Sequence, residues 1–408
     1  MRTNPFKNYA DLLRKERLYG AAAALVGSRW FRRSLLIAAL SFGAIAVWRS
    51  IIGDTDIDGF YRAAEMVWDR KALSADRAVD RYLPVFQTLM APLTILPLSG
   101  AAALWTLLNL ASLANLPRLF EQLYDVPFHK QLFAWFVALP FVIDNINLCQ
   151  NGPVLLFLTM QGIVWVKGNR QIPGGGLIGL AALLKILPIV FMGIALGFRR
   201  WRSFVGFGIV VVLGFAWMVT LIGWDASFQG LQTWWHSLQT SSSPWTFVEQ
   251  GRSLRFVNQG LLVTIARTIC DIDPTPKGAV QLASVSLPVA KGVYVSVLLL
   301  VSGVTAVVGW RSFLKRSCSE WPGLTAIFAV LLLVVSPVVW THYFIWLLPV
   351  LVYLSYRPGL LIIIGLVSLA GLASPYTRGL GLHMMIGLVL FGMAAFRLLK
   401  QGQSTGQL

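Results

Sequence analysis

Acid is scarce in this chain. Its 408 residues include 17 Asp and Glu against 34 Lys and Arg, and charged residues of either sign make up only 12%. A water-soluble domain carries about twice that share, so a freely soluble globular protein is excluded. Cysteine is scarcer still. Cys149, Cys270 and Cys318 are odd in number and far apart, which fits neither a disulfide framework nor a thiolate metal site. The four histidines, His129, His236, His342 and His383, are equally dispersed, so no zinc or haem site is readable and no metal is expected. No short apolar core followed by a small-residue cleavage site opens the chain, so a removable signal peptide is not expected. No repeat of fixed period is visible, which counts against transporters built from inverted repeats.

What is present is apolar. Hydrophobic residues reach 56%, with 16 Trp and 24 Phe, and the mean hydropathy is +0.68. These values describe an integral membrane protein. The net charge of +17 raises the question of nucleic acid. The basic residues, however, gather at span ends rather than on one compact surface. That is the positive-inside signature and a contact with anionic membrane lipids, so no nucleic-acid partner is expected. The first 33 residues hold Arg2, Lys7, Arg14, Lys15, Arg17, Arg29, Arg32 and Arg33 against two acids. Within them Phe6, Tyr9, Leu13 and Arg17 recur at helical spacing, predicting an interfacial helix on the cytoplasmic surface.

Candidate spans fall at 34–51, 82–98, 100–116, 131–145, 152–166, 174–197, 203–224, 289–310, 322–335, 337–355, 358–373 and 379–396. Arg199-Arg200-Trp201-Arg202, Arg311 with Lys315-Arg316, Arg357, and Arg397 with Lys400 mark cytoplasmic turns. Residues 52–81 and 225–288, and the turns around Ser336 to Tyr343 and Ser374 to Arg378, then lie outside. The expectation is an all-α polytopic membrane protein of about 12 transmembrane segments in the cell membrane, with both termini cytoplasmic. It divides into a basic segment 1–33, one multi-span domain 34–398 with outer loops 52–81 and 225–288, and a tail 399–408. Residues 82–98 and 152–166 are short for spans of about 20 residues. Either is open to being broken or re-entrant. Simple counting puts Gln150-Asn151 on the cytoplasmic side, whereas a three-crossing solution for 82–166 moves it.

Seven of the few acids (Asp54, Asp56, Asp58, Glu65, Asp69, Asp76 and Asp80) lie within 52–81. Most fit a solvated loop. Asp56 and Asp58 stand apart, because they run straight into an amphipathic stretch at the end of the first span. There a carboxylate can deprotonate an acceptor beside a lipid-borne substrate. In 57–71, Ile57, Phe60, Tyr61, Ala64, Val67 and Trp68 are spaced i, i+3, i+4, i+7, predicting a helix in the interface. Trp234, Trp235, His236 and Trp245 in 225–258 fit an interfacial aromatic belt first and sugar stacking second.

Polar residues also interrupt the spans: Asn145, Asn147, Gln150 and Asn151, and Lys185 in the middle of an apolar run. A lysine at a helix centre costs about 2.5–3.5 kcal/mol, so it needs a carboxylate, a carbonyl or a phosphate. Asn258-Gln259 with Arg267, and Ser336-Pro337 followed by Trp340-Thr341-His342-Tyr343, complete the set.

In order along the chain these stretches resemble the polyprenol-phosphate-mannose-dependent alpha-mannosyltransferases, glycosyltransferase family 87 of the GT-C superfamily. Asp56-Ile57-Asp58-Gly59-Phe60-Tyr61-Arg62 is similar to the family's acidic first-loop motif. Tyr82-Leu83-Pro84-Val85-Phe86 resembles its Tyr-Pro-Pro-Leu-Phe, and Cys149-Gln150-Asn151 its Gly-Gln-Asn. Lys185-Ile186-Leu187-Pro188 matches a Lys-x-x-Pro, and Asn258-Gln259-Gly260 with Arg267 an Asn-Gln-Ser followed by Arg. Ser336 to Tyr343 matches a Ser-Pro-x-x-Trp-x-His-Tyr. The departures are Leu83 for a proline, Cys149 for a glycine and Gly260 for a serine.

The resemblance implies a GT-C-type glycosyltransferase fold whose first outer loop carries the catalytic Asp. The donor is then a sugar, mannose by preference, on a polyprenyl phosphate, and the acceptor a lipid or glycan. Asp56 is the implied general base, with Asp58 in reserve. His342, Lys185 and Arg267 are the implied contacts to the donor phosphate, and Tyr61, Gln150, Asn151, Asn258, Gln259 and Tyr343 line the substrate site. No cofactor is implied beyond a weak divalent-cation dependence. A lipid-linked-sugar flippase or transporter, and a glycan polymerase or ligase of the membrane, are the competing readings.

Overall fold

The computed structural model describes residues 5–53, 55–69, 82–240, 256–270, 280–315 and 317–404, with side chains over the same ranges from 15 to 401. Asp54, Asp76, Asp80 and Trp245, and the side chains of Phe6, Tyr9 and Leu13, lie outside the described residues. Among those described, every regular element is helical apart from one bridge joining Cys270 to Val285.

α1 (Pro5–Gly27) and α2 (Arg29–Ile51) meet at Ser28, whose hydroxyl oxygen accepts from Phe31 N at 3.0 Å and caps α2. α3 (Asp56–Trp68) buries Ile57, Phe60, Ala64 and Val67, the face that its periodicity marks. Tyr61 and Trp68 leave that face to grip the next element. The Tyr61 hydroxyl donates to Leu96 O at 2.8 Å, and Trp68 Nε1 donates to Thr94 Oγ1 at 2.7 Å. α4 (Pro84–Met90) opens on a proline, whose missing N–H costs nothing at a helix start. It runs through a 3₁₀ turn, Ala91–Ile95, into α5 (Leu98–Tyr124) at a bend of 117°. Pro84–Ile95 covers about 18 Å at 1.5 Å per residue, too little for a hydrocarbon core of about 30 Å. The expected span 82–98 is therefore half of a bent pair.

α6 (Phe128–Asn147) and α7 (Gly152–Lys167) form a second bent pair, at 119°. α8 (Gln171–Leu184) stops at Lys185, whose backbone is extended at φ −161° and ψ 125°. A 3₁₀ turn, Leu187–Phe191, then leads to α9 (Met192–Gly197). This corrects the single span expected over 174–197, which is two half-helices. Pro188 has no N–H to continue the α-helical ladder. α10 (Trp201–Ile222) crosses beside α8 with backbones almost touching, since a Cβ added at Gly206 would lie 1.9 Å from Ile172 O. Small residues at such crossings are the usual means of close helix packing in lipid. α11 (Trp224–Gln239) buries Trp234 and exposes Trp224, Phe228 and Trp235.

α12 (Leu261–Ile269), α13 (Leu287–Lys315) and α14 (Trp321–Val335) follow. The chain is irregular from Ser336 to Trp340 and passes through a 3₁₀ segment, Thr341–Leu347, into α15 (Leu348–Tyr353). The span expected over 337–355 is thereby corrected too, with the break falling where Pro337 removes a donor. α16 (Pro358–Leu372), α17 (Pro375–Gly379) and α18 (Leu382–Ser404) complete the chain.

Five of these helices are long and apolar enough to cross a membrane, and seven if each bent pair is one span. The fold is that of a multi-pass membrane protein. Its core stacks Phe191 on Trp346 (centroids 5.7 Å apart) and sets Phe141 against Phe344 (5.6 Å). This packing fixes the 3₁₀ segment Thr341–Leu347 against α6 and the Lys185 break.

Candidate active site

Four helix ends and breaks meet at one place. Asp56 is the first residue of α3, where the helix dipole favours a negative group. Its N–H donates to Leu148 O at 3.1 Å, and its Oδ2 accepts from Gln150 Nε2. Leu148 and Gln150 belong to the corner between α6 and α7. That corner turns on Cys149, which holds a left-handed φ of 51°. A side chain there costs about 1–2 kcal/mol, so the glycine of the resembling motif is the cheaper residue. In this chain Trp105 Nε1 donates to Cys149 O at 3.0 Å and holds the turn. Asp58 points elsewhere and pairs with Arg62 at 2.7 Å, one helical turn on.

The end of α6 also holds His342. Asn145 Nδ2 donates to the His342 carbonyl at 2.7 Å, and His342 Nδ1 lies 3.7 Å from Asp144 Oδ2. Next to it, Lys185 Nζ donates to the Tyr343 hydroxyl and lies 3.7 Å from the Tyr343 ring centroid and 5.3 Å from that of Tyr82. Among the described residues no carboxylate pairs with Lys185; a phenol and two π faces hold it. Asn151, Lys185, His342 and Tyr343 line one pocket with Leu155, Leu332 and Trp346. The charges of Asp56, Asp144 and Lys185 all act on His342.

Asn258, Gln259 and Arg267 are not in that lining. They form a buried scaffold behind it. Asn258 Oδ1 accepts from Gly260 N at 3.0 Å and Val339 N at 3.3 Å, while Gln259 N donates to Val339 O at 2.6 Å. Arg267, 1% exposed, donates through Nε to Gly379 O at 2.7 Å and through Nη1 to Asn258 O at 2.9 Å. His383 Nδ1 lies 2.9 Å from Gln259 Oε1. The scaffold thus clamps the irregular stretch just before His342. Gly260 belongs to it, because a Cβ there would come within 2.9 Å of Pro337 O. The glycine standing for a serine is thereby explained by space.

Tyr61 lies to one side, bonded to Leu96 O. Burial and the charge of Glu65 push its phenol up from the ordinary value, so it stays a donor at neutral pH. Asp144 is the site residue that the sequence reading omitted. It is the single acid within Gln131–Asn147, and an ionisable group inside an apolar run is the ordinary signal for function. Among the described residues no three His, Cys, Asp or Glu side chains are arranged to hold a metal ion.

The structure is thus that of a multi-pass membrane protein with an imidazole and an ammonium group in one pocket and two carboxylates, Asp56 and Asp144, acting on that imidazole. The model of glycosyltransferase family 87 matches residues 81–337, more than half of the sequence, and the chain belongs to that family. The match contains Gln150, Asn151, Lys185, Asn258, Gln259 and Arg267, and stops short of Asp56 on one side and His342 on the other. The chain is also similar to the polyprenol-phosphate-mannose-dependent alpha-(1-2)-phosphatidylinositol pentamannoside mannosyltransferase of Mycolicibacterium smegmatis. The two are 23% identical over 280 residues, which is 68% of this chain and 61% of that relative's length. No solved structure matches.

Proposed function

We propose that the protein is a membrane glycosyltransferase. It moves a sugar, mannose by preference, from a polyprenyl-phosphate donor to a lipid or glycan acceptor at the outer face of the cell membrane. The observation that carries this reading is that His342 and Lys185 share one pocket, with Asp56, held by Gln150, near enough for its charge to act on the His342 ring. Family membership and the relative's dependence on polyprenol-phosphate-mannose support the donor class. A lipid-linked-sugar flippase would string its charges along a path through the bilayer, whereas these gather at one place.

In the reaction, Asp56 takes the proton of the acceptor hydroxyl as that oxygen attacks the anomeric carbon. The new glycosidic bond forms while the bond from the anomeric carbon to the phosphate oxygen breaks. Polyprenyl phosphate leaves with the electron pair, and attack opposite the leaving group inverts the configuration. His342 and Lys185 stabilise the charge on the departing phosphate through charge-assisted hydrogen bonds. Asn151 and Tyr343 shape the pocket, and Asn258, Gln259 and Arg267 hold its wall.

The test is consumption of radiolabelled polyprenyl-phosphate sugars by purified protein in lipid nanodiscs supplied with a membrane lipid extract. Transfer from the mannose donor, lost in Asp56→Asn, is the expected result. Consumption of a different sugar corrects the donor alone; consumption of none refutes the transferase.

A further inference from the structure

The last turn of α6 touches His342 twice, once through Asn145 on its carbonyl and once through Asp144 on its ring. The ring is almost wholly enclosed, at 4% exposure, against 35% for the Asp144 side chain. Nδ1 is buried and makes no hydrogen bond, with Asp144 Oδ2 at 3.7 Å as its nearest charged partner. A buried ring nitrogen left unpaired costs about 1–3 kcal/mol. That gap is about 0.5–1 Å wider than an ordinary N–H to O distance of about 2.7–3.2 Å, and site contacts of this kind commonly tighten when substrate binds.

We infer that Asp144 is a positioning residue: its carboxylate accepts the Nδ1 proton of His342 and fixes the ring so that Nε2 donates a second N–H to the donor phosphate. This rests on the transferase reading above. The proton count leads to it. A neutral ring bonded to Asp144 through Nδ1–H offers only a lone pair at Nε2, which a phosphate oxygen repels. A neutral ring protonated at Nε2 turns the Nδ1 lone pair toward a carboxylate, setting two acceptors face to face. The doubly protonated ring alone satisfies carboxylate and phosphate together. Burial of the ring opposes the cation most, and Lys185 from the break after α8 opposes it too; Asp144 from α6 and Asp56 from α3 favour it, and the arriving phosphate adds negative charge on the same side. The Tyr343 ring lies edge-on at 4.8 Å and adds no charge. Without Asp144, Lys185 would meet the imidazolium with only Asp56 and the phosphate to offset it.

The experiment is a double-mutant cycle of Asp144→Asn and His342→Gln in full-length protein in nanodiscs, with polyprenyl-phosphate mannose as donor and pH varied. Asp144→Asn keeps the shape and removes the charge, so donor KM should rise about tenfold at neutral pH. The alkaline limit of donor use should move to lower pH by about one unit or more. In the His342→Gln background the same change should add nothing further, and Asp144→Glu should restore part of the loss. Equal losses at every pH, persisting in the His342→Gln background, would mean that Asp144 only holds the fold and would overturn the inference. If the wild-type protein uses no donor, the transferase reading is what has failed. The positioning role is then read from the nitrogen-15 spectrum of the His342 ring, assigned by its loss in His342→Gln. A doubly protonated ring that persists to higher pH in the wild-type protein than in Asp144→Asn supports it, and the same titration in both overturns it.

Discussion

Lys185→Met separates a lysine kept for the donor from one kept for the fold. The ammonium donates to the Tyr343 phenol and lies over two rings, at 3.7 and 5.3 Å from their centroids. Losing those contacts should cost about 0.5–2 kcal/mol for the π faces and about 1 kcal/mol for the phenol. Against that, a lysine in the middle of an apolar run carries about 2.5–3.5 kcal/mol of insertion cost, which methionine removes at similar length. The two sides nearly cancel, so the melting temperature should stay within a few degrees of the parent's or rise. Donor use should behave differently. A charge-assisted bond to phosphate contributes about 1.5–3 kcal/mol, so turnover at limiting donor should fall about 10- to 150-fold. Donor kinetics and thermal unfolding of the same nanodisc preparation give both numbers. A variant that unfolds much earlier, yet uses donor normally per folded molecule, would show that Lys185 is a structural brace and that the phosphate is bound elsewhere.

Asp56→Asn keeps the contact with Gln150 in outline but cannot take a proton, so turnover should fall about 100-fold or more with donor binding retained. Asp58→Asn loses one helix pair with Arg62, which is 63% exposed; about 0.3–0.5 kcal/mol of stability and little activity should go with it, and a reversed order of the two effects would move the base to Asp58. Gly206→Val drives a side chain into Ile172 O and should cost about 1–3 kcal/mol or more through overpacking, seen as a lower melting temperature; an unchanged one would refute the close α8–α10 crossing. Cysteines placed at Thr240 and Arg378 should react with an impermeant thiol reagent from outside intact cells while those at Arg200 and Lys315 stay protected; labelling at Arg200 would break the shared outer face.

The α3 face was legible because periodicity reports burial directly. Ile57, Phe60, Ala64 and Val67 are all buried where the 3.6-residue spacing puts them. Hydropathy was a poorer guide to continuity. An apolar run looks alike whether its helix is whole or broken, and the partner of Lys185 at the break, Tyr343, lies 158 positions away. The role of Arg267 was hidden for a similar reason. Its type and position suggest a phosphate contact, and no local pattern announces its bonds to the backbone carbonyls of Asn258 and Gly379, the latter 112 positions off. The Asn258 bond to Val339 spans 81 positions and leaves no local mark. Asp144 was visible all along as the lone acid of its run, overshadowed by the amides beside it.

A broken helix in lipid exposes backbone groups that the hydrocarbon cannot satisfy, which explains why the breaks here come together. The first N–H of α3 is answered by Leu148 O from the α6–α7 corner. The carbonyl of His342, at the start of the 3₁₀ segment, is answered by Asn145 from the end of α6. The stretch before it is answered on both sides, with Val339 O accepting from Gln259 N and Val339 N donating to Asn258 Oδ1. Each interruption supplies what another lacks, so none is stable alone. The result is a pocket walled by helix breaks, where His342 and Lys185 are held by backbone that is already paired, with Asp56 fixed at the neighbouring α6–α7 corner. Backbone built this way is fixed before substrate arrives, so the side chains it carries have little to reorganise as charge builds on a leaving phosphate. It follows that changes in the Asn258–Gln259 clamp should act on the reaction through His342, although neither residue lines the pocket.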